Sequence, residues 1–465
     1  MRDISAASAA PVTDSTRPAT PSGARRFFDR VRLSSLAFDL ALVGGVALIL
    51  GLFRLGTPSV WVDEAFTAQA VRERFLNPID QYHWLYYSIV TPWSFVAGTS
   101  EWALRMPSVF SAMLACALLV LLAHKLFDRR VAVASGLFLA ASPFLVKWSQ
   151  QARPYSMVLT AGILATLLLF RALERGSHGA WAGYGFAFSL VFAMHPVSAL
   201  VLVPAHALLV LQRREKLFPH GFLAACVIVS LGAPWAFARA RQTPGDNWLH
   251  RPSLGAALNT LLDVSGAAGL GLLLALVGLV VLRRAGRKDL ALWLGAWAFA
   301  PFALALIVSF VTPIYLDRYL ITAAPAFALL AGIAVFGVGA RLGLALGLAA
   351  VIATSIGLAN WYSQGSRGNW RGEDWRNAVT TVLARRAESD AVVVAPWWAE
   401  PAAAYYGASA TGISSADSLW VVVWSESGHR LPESERRPLG FGDHRLVERL
   451  QFGRRVSAQL WERDP

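Results

Sequence analysis

Two adjacent acids, Asp63 and Glu64, follow the first long apolar run in "RLGTPSVWVDEAFTAQAV", close to Trp61 and Phe66. Carboxylates in an apolar, aromatic setting are costly unless they are solvated, paired or used. One reading is a solvated loop with aromatics of the membrane belt. The other is chemical: Asp63, kept ionised, takes a proton from an acceptor hydroxyl. Glu64 then orients the acceptor or its neighbours, because adjacent side chains seldom point into one pocket in the same way. Asp80, His83, Trp84, Tyr86 and Tyr87 come next. His83 either hydrogen-bonds an acceptor and tunes a carboxylate or is a structural residue among aromatics. Asp80, Tyr86 and Tyr87 join the candidates for substrate contact. Asp63, Asp80 and His83 could share a divalent ion, although their spacing is no specific ligand motif.

Arginines recur at the ends of apolar runs on the same side: Arg105 in "TSEWALRMPSVF", Arg153 in "SQQARPY" and Arg318 in "YLDRY". Headgroup anchoring, or pairing with Asp317, would account for them. A guanidinium also offers a rigid multi-donor fork to a phosphate at a membrane surface. On that reading Arg318 with Tyr319 leads, Arg153 is second and Arg105 is a further member.

These residues need elements to hold them, and the composition says which. Of 465 residues, 55% are hydrophobic and 15% charged, against about 25% charged in a soluble domain. Eleven apolar runs, from 36–55 to 342–359, are compatible with helices through a hydrocarbon core about 30 Å thick. The net charge of +13 falls largely in short clusters between runs, at 124–130, 171–175, 213–216 and 283–288, with Arg341. That is the cytoplasmic excess of a polytopic protein, and no continuous basic patch or motif points to nucleic acid. The register it sets puts the N-terminus inside, the C-terminus outside, and loops 56–103, 147–155, 238–263 and 312–319 outside. Residues 82–98, apolar and aromatic with Pro92, read as a juxtamembrane or re-entrant element on the outer side, since a span there would invert every later basic cluster.

Residues 1–33 read as a disordered cytoplasmic tail, 34–359 as the spanning domain, and 360–465 as a small α/β domain beyond the membrane. In the last, "DAVVVAPWW" and "SLWVVVW" have strand character and "DWRNAVTTVLARRAE" is helical. Cys116 and Cys226 lie in predicted spans and read as packing residues. No nucleotide, dinucleotide or zinc motif is present.

The landmarks "WVDEAFTAQAV", "LYY" after His83, "TSEWALRMPSVF", "ASPFLVKWSQQARPYSM" and "PIYLDRYLITAAPAFALLAG" occur in this order across roughly residues 50–335. In this the chain resembles GT-C membrane glycosyltransferases, in the bacterial branch similar to dolichyl-phosphate-mannose protein mannosyltransferases and aminoarabinose lipid A transferases. The resemblance implies a polytopic all-α membrane protein with about eleven spanning helices, a long first outer loop and a C-terminal extracytoplasmic α/β domain. It puts the catalytic position on Asp63 with Glu64 beside it, and lines a donor phosphate pocket with Arg153, Arg318 and Tyr319. Many relatives carry His-Pro-Pro-Leu where this chain has His83-Trp84-Leu85, so a role for His83 rests on the histidine and leucine alone.

The implied reaction is inverting transfer of a sugar, with mannose or arabinose leading, from a polyprenyl-phosphate donor. The acceptor would be a glycolipid, a cell-wall polysaccharide or a protein outside a bacterial plasma membrane. A divalent metal is compatible with the reaction, and no other cofactor is implied. A transporter or flippase of lipid-linked sugars is the competing class. It would favour charges near mid-membrane on discontinuous helices, whereas the distinctive charges here collect at one surface.

Overall fold

The structure, a computed structural model, describes residues 23–73, 83–213, 251–365, 368–408, 418–426 and 444–463, and the apolar runs within them fold as helices. In chain order these are α1 (Gly23–Leu52), α2 (Val62–Arg72), α3 (Trp84–Ala97), α4 (Glu101–Leu126), α5 (Arg129–Ala140) and α6 (Pro143–Ser149). Next come α7 (Tyr155–Arg175), α8 (His178–Met194), α9 (Pro196–Gln212), α10 (Leu254–Ser265), α11 (Leu270–Arg284) and α12 (Lys288–Ser309). The last are α13 (Ala324–Gly337), α14 (Ala340–Gln364), α15 (Trp375–Arg385) and α16 (Glu400–Tyr405). Among the described residues 7 helices are long and apolar enough to cross a membrane, or 8 with the bent pair α5–α6 counted as one span.

Several elements differ from the simple run-by-run reading. Helix α1 starts at Gly23, inside the segment read as a tail. The run 131–146 breaks by 56° between α5 and α6. Pro143 begins the new helix at a position where its missing N–H is not needed. Residues 84–97 form one helix of 14 residues, shorter than the roughly 20 that a span needs. The loop read at 238–263 contains α10, whose Leu254 and Leu258 are exposed. The run at 218–237, and Cys226 within it, lie outside the described residues.

Small residues set the helix packing. A Cβ at Gly278 would meet the Leu330 carbonyl, and one at Gly332 would meet Ser135, so α11, α13 and α5 approach closely. At the end of the bundle away from Asp63, Asp39 is buried and held by Arg129 at 2.7 Å and His124 at 3.1 Å.

Beyond α14 a four-stranded sheet forms in the order β1-β2-β4-β3, from Ala391–Ala395, Ser418–Trp424, His444–Phe452 and Val456–Arg463. β1 and β2 are parallel and the other pairs antiparallel. Helix α15 buries Trp375, Val379 and Val382 against the sheet, a helical spacing. Val60, Val62 and Ala65 belong to the same apolar cluster. The C-terminal domain and the segment carrying Asp63 therefore share one core.

Candidate active site

Helix α2 opens at Trp61 and carries both acids in its first turn, where the helix dipole favours negative charge. One turn of helix sends the two side chains to different places. Glu64 is buried, and its carboxylate takes Arg105 Nε at 2.7 Å and Nη2 at 2.6 Å. It also accepts the Ala152 N–H at 2.8 Å. Arg105 gives its remaining donors to the carbonyls of Leu55 (2.8 Å), Pro58 (3.0 Å) and Ser59 (3.3 Å). Its five N–H groups are thus used internally, which corrects its assignment to a phosphate pocket. Glu64 likewise fixes the Arg105 and Ala152 segments rather than an acceptor.

Asp63 keeps a 29% exposed side chain, with Arg318 Nη2 at 3.8 Å from its carboxylate. Its backbone carbonyl accepts from Arg153 Nη1 at 3.2 Å and Thr67 Oγ1 at 3.4 Å. Of Asp63, Glu64, Asp317 and Glu373, only Asp63 has side-chain oxygens that accept no hydrogen bond from the described residues. Asp317 takes Lys147 at 2.9 Å, and Glu373 takes the Val62 N–H at 3.3 Å, Trp375 Nε1 at 3.1 Å and Trp424 Nε1 at 3.0 Å.

Arg318 and Tyr319 lie in the 3-10 turn Asp317–Ala323 that leads into α13. The Arg318 guanidinium is buried, 5.9 Å from the ring centres of both Trp61 and Trp148 and 5.6 Å from Tyr319. Tyr319 packs 4.4 Å from His195. Arg153 touches the Tyr87 hydroxyl at 3.4 Å as well as the Asp63 carbonyl, so it braces the backbone of the acid. Tyr86 and Tyr87 are fully buried, with rings 5.4 Å apart. His83 Nδ1 is 2.9 Å from the Met194 carbonyl, and its ring stacks on His195 at 5.5 Å. Burial first, then the Arg153 charge, push His83 down to about 3, so it is a neutral polar group near neutral pH. Asp80 lies outside the described residues, and with it the suggested ion site of Asp63, Asp80 and His83. Among the described residues no three His, Cys, Asp or Glu side chains are grouped to hold a metal.

Three groups escaped the sequence reading. His195 caps α9, its Nδ1 accepting the Ser198 N–H at 3.1 Å; the signal was "HP" at the break between two apolar runs. Lys147 and Asp263 line a cavity of about 270 Å³ with Phe144, Gly266, Trp361 and Trp370. Burial pushes the Asp263 carboxyl up. The third group is the clamp from the C-terminal domain. Tyr406 OH accepts the Val60 N–H at 2.9 Å and donates to Glu101 at 2.9 Å. Arg376 reaches Glu101 at 2.6 Å and the Gly56 and Thr57 carbonyls at 3.1 Å. Asn369 reaches the Val60 carbonyl at 3.3 Å. The polar stretch "NWRGEDWRN" after the last apolar run was its trace in sequence.

The family model for dolichyl-phosphate-mannose-protein mannosyltransferase matches residues 87–237. Among solved structures, ArnT from Cupriavidus metallidurans bound to undecaprenyl phosphate superposes with a TM-score of 0.60 at 14% identity, over 90% of this chain and 97% of that one. Its apo form gives 0.60 at 16% identity over the same shares. No curated protein matches by sequence.

Proposed function

We infer, from the fold shared with ArnT, the family match over residues 87–237 and the site above, that the chain is a GT-C membrane glycosyltransferase, inverting and using a polyprenyl-phosphate sugar. The observation that carries this reading is a carboxylate, Asp63, that accepts no hydrogen bond from the described residues and lies 3.8 Å from a buried guanidinium, Arg318, at one end of a bundle of spanning helices. A base and a cation so placed serve a displacement in which an oxyanion leaves. The acceptor hydroxyl gives its proton to Asp63 as its oxygen bonds to the anomeric carbon. The bond from that carbon to the phosphate oxygen breaks, and polyprenyl phosphate departs with the electron pair. Attack opposite to departure inverts the anomeric centre.

Arg318, beside Tyr319, stabilises the charge that develops on the leaving phosphate. Lys147, at the wall of the neighbouring cavity, adds positive charge there. Arg153 and Glu64 act on position: one holds the Asp63 carbonyl, the other locks the turn that presents it. His83 contributes as a neutral hydrogen-bonding group.

Basic groups at the opposite ends of the helices, among them Lys125, Arg129, Arg171, Arg175, Arg283 and Arg284, support a cytoplasmic location for that end. Asp63 and residues 360–465 would then lie beyond a bacterial plasma membrane. A polyprenyl donor can reach such a site laterally from the bilayer. Mannose or arabinose leads as the sugar, and a glycolipid, wall polysaccharide or protein as the acceptor.

The test separates binding from turnover in purified protein. Asp63→Asn should bind undecaprenyl phosphate as the native protein does and lose transfer by about 10²–10⁴-fold. Full transfer by a well-folded Asp63→Asn would remove Asp63 from the role of base.

A further inference from the structure

Three tryptophans from distant parts of the chain meet beside Asp63. Trp370 stands edge-on to Trp61 at 5.5 Å and to Trp148 at 5.9 Å. Each pair of rings has a cation across it. Arg318 faces Trp61 and Trp148, both at 5.9 Å. Lys147 faces Trp148 at 4.7 Å and Trp370 at 4.2 Å. Arg371 faces Trp61 at 5.2 Å and Trp370 at 5.4 Å. Two of these cations belong to the spanning domain, and the third, Arg371, comes from the segment that starts the C-terminal domain.

Arg371 is less committed than a packing arginine would be. Its side chain is 26% exposed and makes no hydrogen bond among the described residues. Its one ion pair, to Glu373, is long at 3.4 Å, and that carboxylate is already held by Val62, Trp375 and Trp424. Arg105 shows the contrast, with every N–H used. Burial lowers the Arg371 pKa, Glu373 and Asp63 oppose that, and Arg455 and Arg318 reinforce it. An anionic phosphate between Arg318 and Arg371 would relieve this mutual repulsion, the more so once the sugar has left and the lipid phosphate gains a second charge. The indole N–H groups of Trp61, Trp148 and Trp370 are also buried without an acceptor, and phosphate oxygens can supply one.

We propose that Arg371 is a further phosphate-binding residue, so that the C-terminal domain completes the site that holds the donor's lipid phosphate across Trp61 from Arg318. This rests on the polyprenyl-phosphate reading above. It makes donor binding depend on a docked C-terminal domain, since the clamp on residues 56–62 also sets where Arg371 sits.

The experiment measures binding of undecaprenyl phosphate, and of uncharged undecaprenol, to the full-length protein in detergent by native mass spectrometry. The variants are Arg371→Ala, Arg371→Gln and Arg371→Lys, with Arg385→Ala as a control at an exposed pair with Glu448 on the same domain. Arg371→Ala and Arg371→Gln should weaken binding of the phosphate lipid by about tenfold or more, as expected for a lost charge-assisted contact, and leave undecaprenol unchanged. Arg371→Lys, which keeps the charge but not the planar fork stacked on Trp61 and Trp370, should lose clearly less than Arg371→Gln, and Arg385→Ala should match the native protein. If the native protein prefers the phosphate lipid and Arg371→Gln binds it equally well, Arg371 only packs on Trp61 and the proposal is overturned. Equal losses for both lipids would overturn it too, as a purely structural effect. A native protein with no preference for the phosphate would instead refute the polyprenyl-phosphate reading itself, and the Arg371 proposal with it. Should Arg371→Ala fail to fold, the comparison of Gln with Lys still decides.

Discussion

The Glu64–Arg105 pair should be a structural lock, and its removal should be felt well before catalysis is measured. Both side chains are almost fully buried, at 1% and 2% exposure. Arg105→Met would leave the Glu64 carboxylate buried with only the Ala152 N–H as partner, and three carbonyls, of Leu55, Pro58 and Ser59, without the donor they now have. Breaking a buried pair from one side costs about 3–5 kcal/mol, a large share of the roughly 5–15 kcal/mol that holds a domain together. Glu64→Gln strands the guanidinium instead and should cost a similar amount. The double variant Glu64→Gln/Arg105→Met removes both charges, so it should be more stable than the sum of the singles implies. The Leu55 and Pro58 carbonyls still lack the donor that Arg105 gave them, and Ser59 keeps only Asn369 at 3.5 Å, so the recovery should be partial. Thermal unfolding of the four proteins in one detergent gives the coupling as a double-mutant cycle. An Arg105→Met protein that melts like the native one, with no coupling to Glu64, would refute the lock and reopen Arg105 as a ligand for phosphate.

Other perturbations have distinct signatures. Arg318→Ala should lower turnover by about 10²–10³-fold and weaken binding of undecaprenyl phosphate; unchanged binding and turnover would reduce Arg318 to an anchor. His83 is held neutral, with its pKa depressed from 6.5 to about 3. The unfolded chain therefore takes up the proton first as pH falls, and the stability His83 contributes is complete above about pH 6.5 and lost on going down towards pH 3. Between pH 7 and pH 5 the native protein should lose on the order of 2 kcal/mol more than His83→Asn does, read as the difference in melting shifts. Gly278→Ala should reduce the yield of folded protein, because the new methyl meets the Leu330 carbonyl on a facing helix; Gly179→Ala, with open space at its Cβ, should fold normally. Tyr406→Phe strips the Val60 N–H of its acceptor, at about 1–3 kcal/mol, and should speed proteolysis of the C-terminal domain.

Much of the bundle was legible because spanning helices are written as uninterrupted apolar runs, and the order of the landmarks between them pointed to the fold the chain shares with ArnT. The breaks were harder. The bend ahead of Pro143 depends on one residue inside a run that hydropathy reads as continuous, and the cap at His195 on a polar residue that hydropathy marks only as a gap between two runs. Helix α10 was hidden because it is short and lies in a segment whose other half is polar. At the site, sequence placed Asp63, Arg153, Arg318 and Tyr319 in outer segments, and the fold brings those segments together. It gave Asp63 the part of base and Glu64 an orienting part, but could not show what Glu64 holds, since that depends on Arg105 some forty positions away. Nor could it find Arg371, Trp370 and Lys147. Their meeting with Trp61 and Trp148 is a product of tertiary packing, and a tryptophan in a membrane protein ordinarily marks the interface.

The central claim is that Asp63 takes a proton while a lipid-linked sugar is transferred. The most direct measurement is mass spectrometry of lipid extracts from matched cells that express either the native protein or Asp63→Asn. A polyprenyl-phosphate sugar should accumulate with the variant while one glycan of the cell surface disappears, naming donor and acceptor together. Unchanged pools, with both proteins folded and inserted in the membrane, would contradict the claim and turn attention to transport.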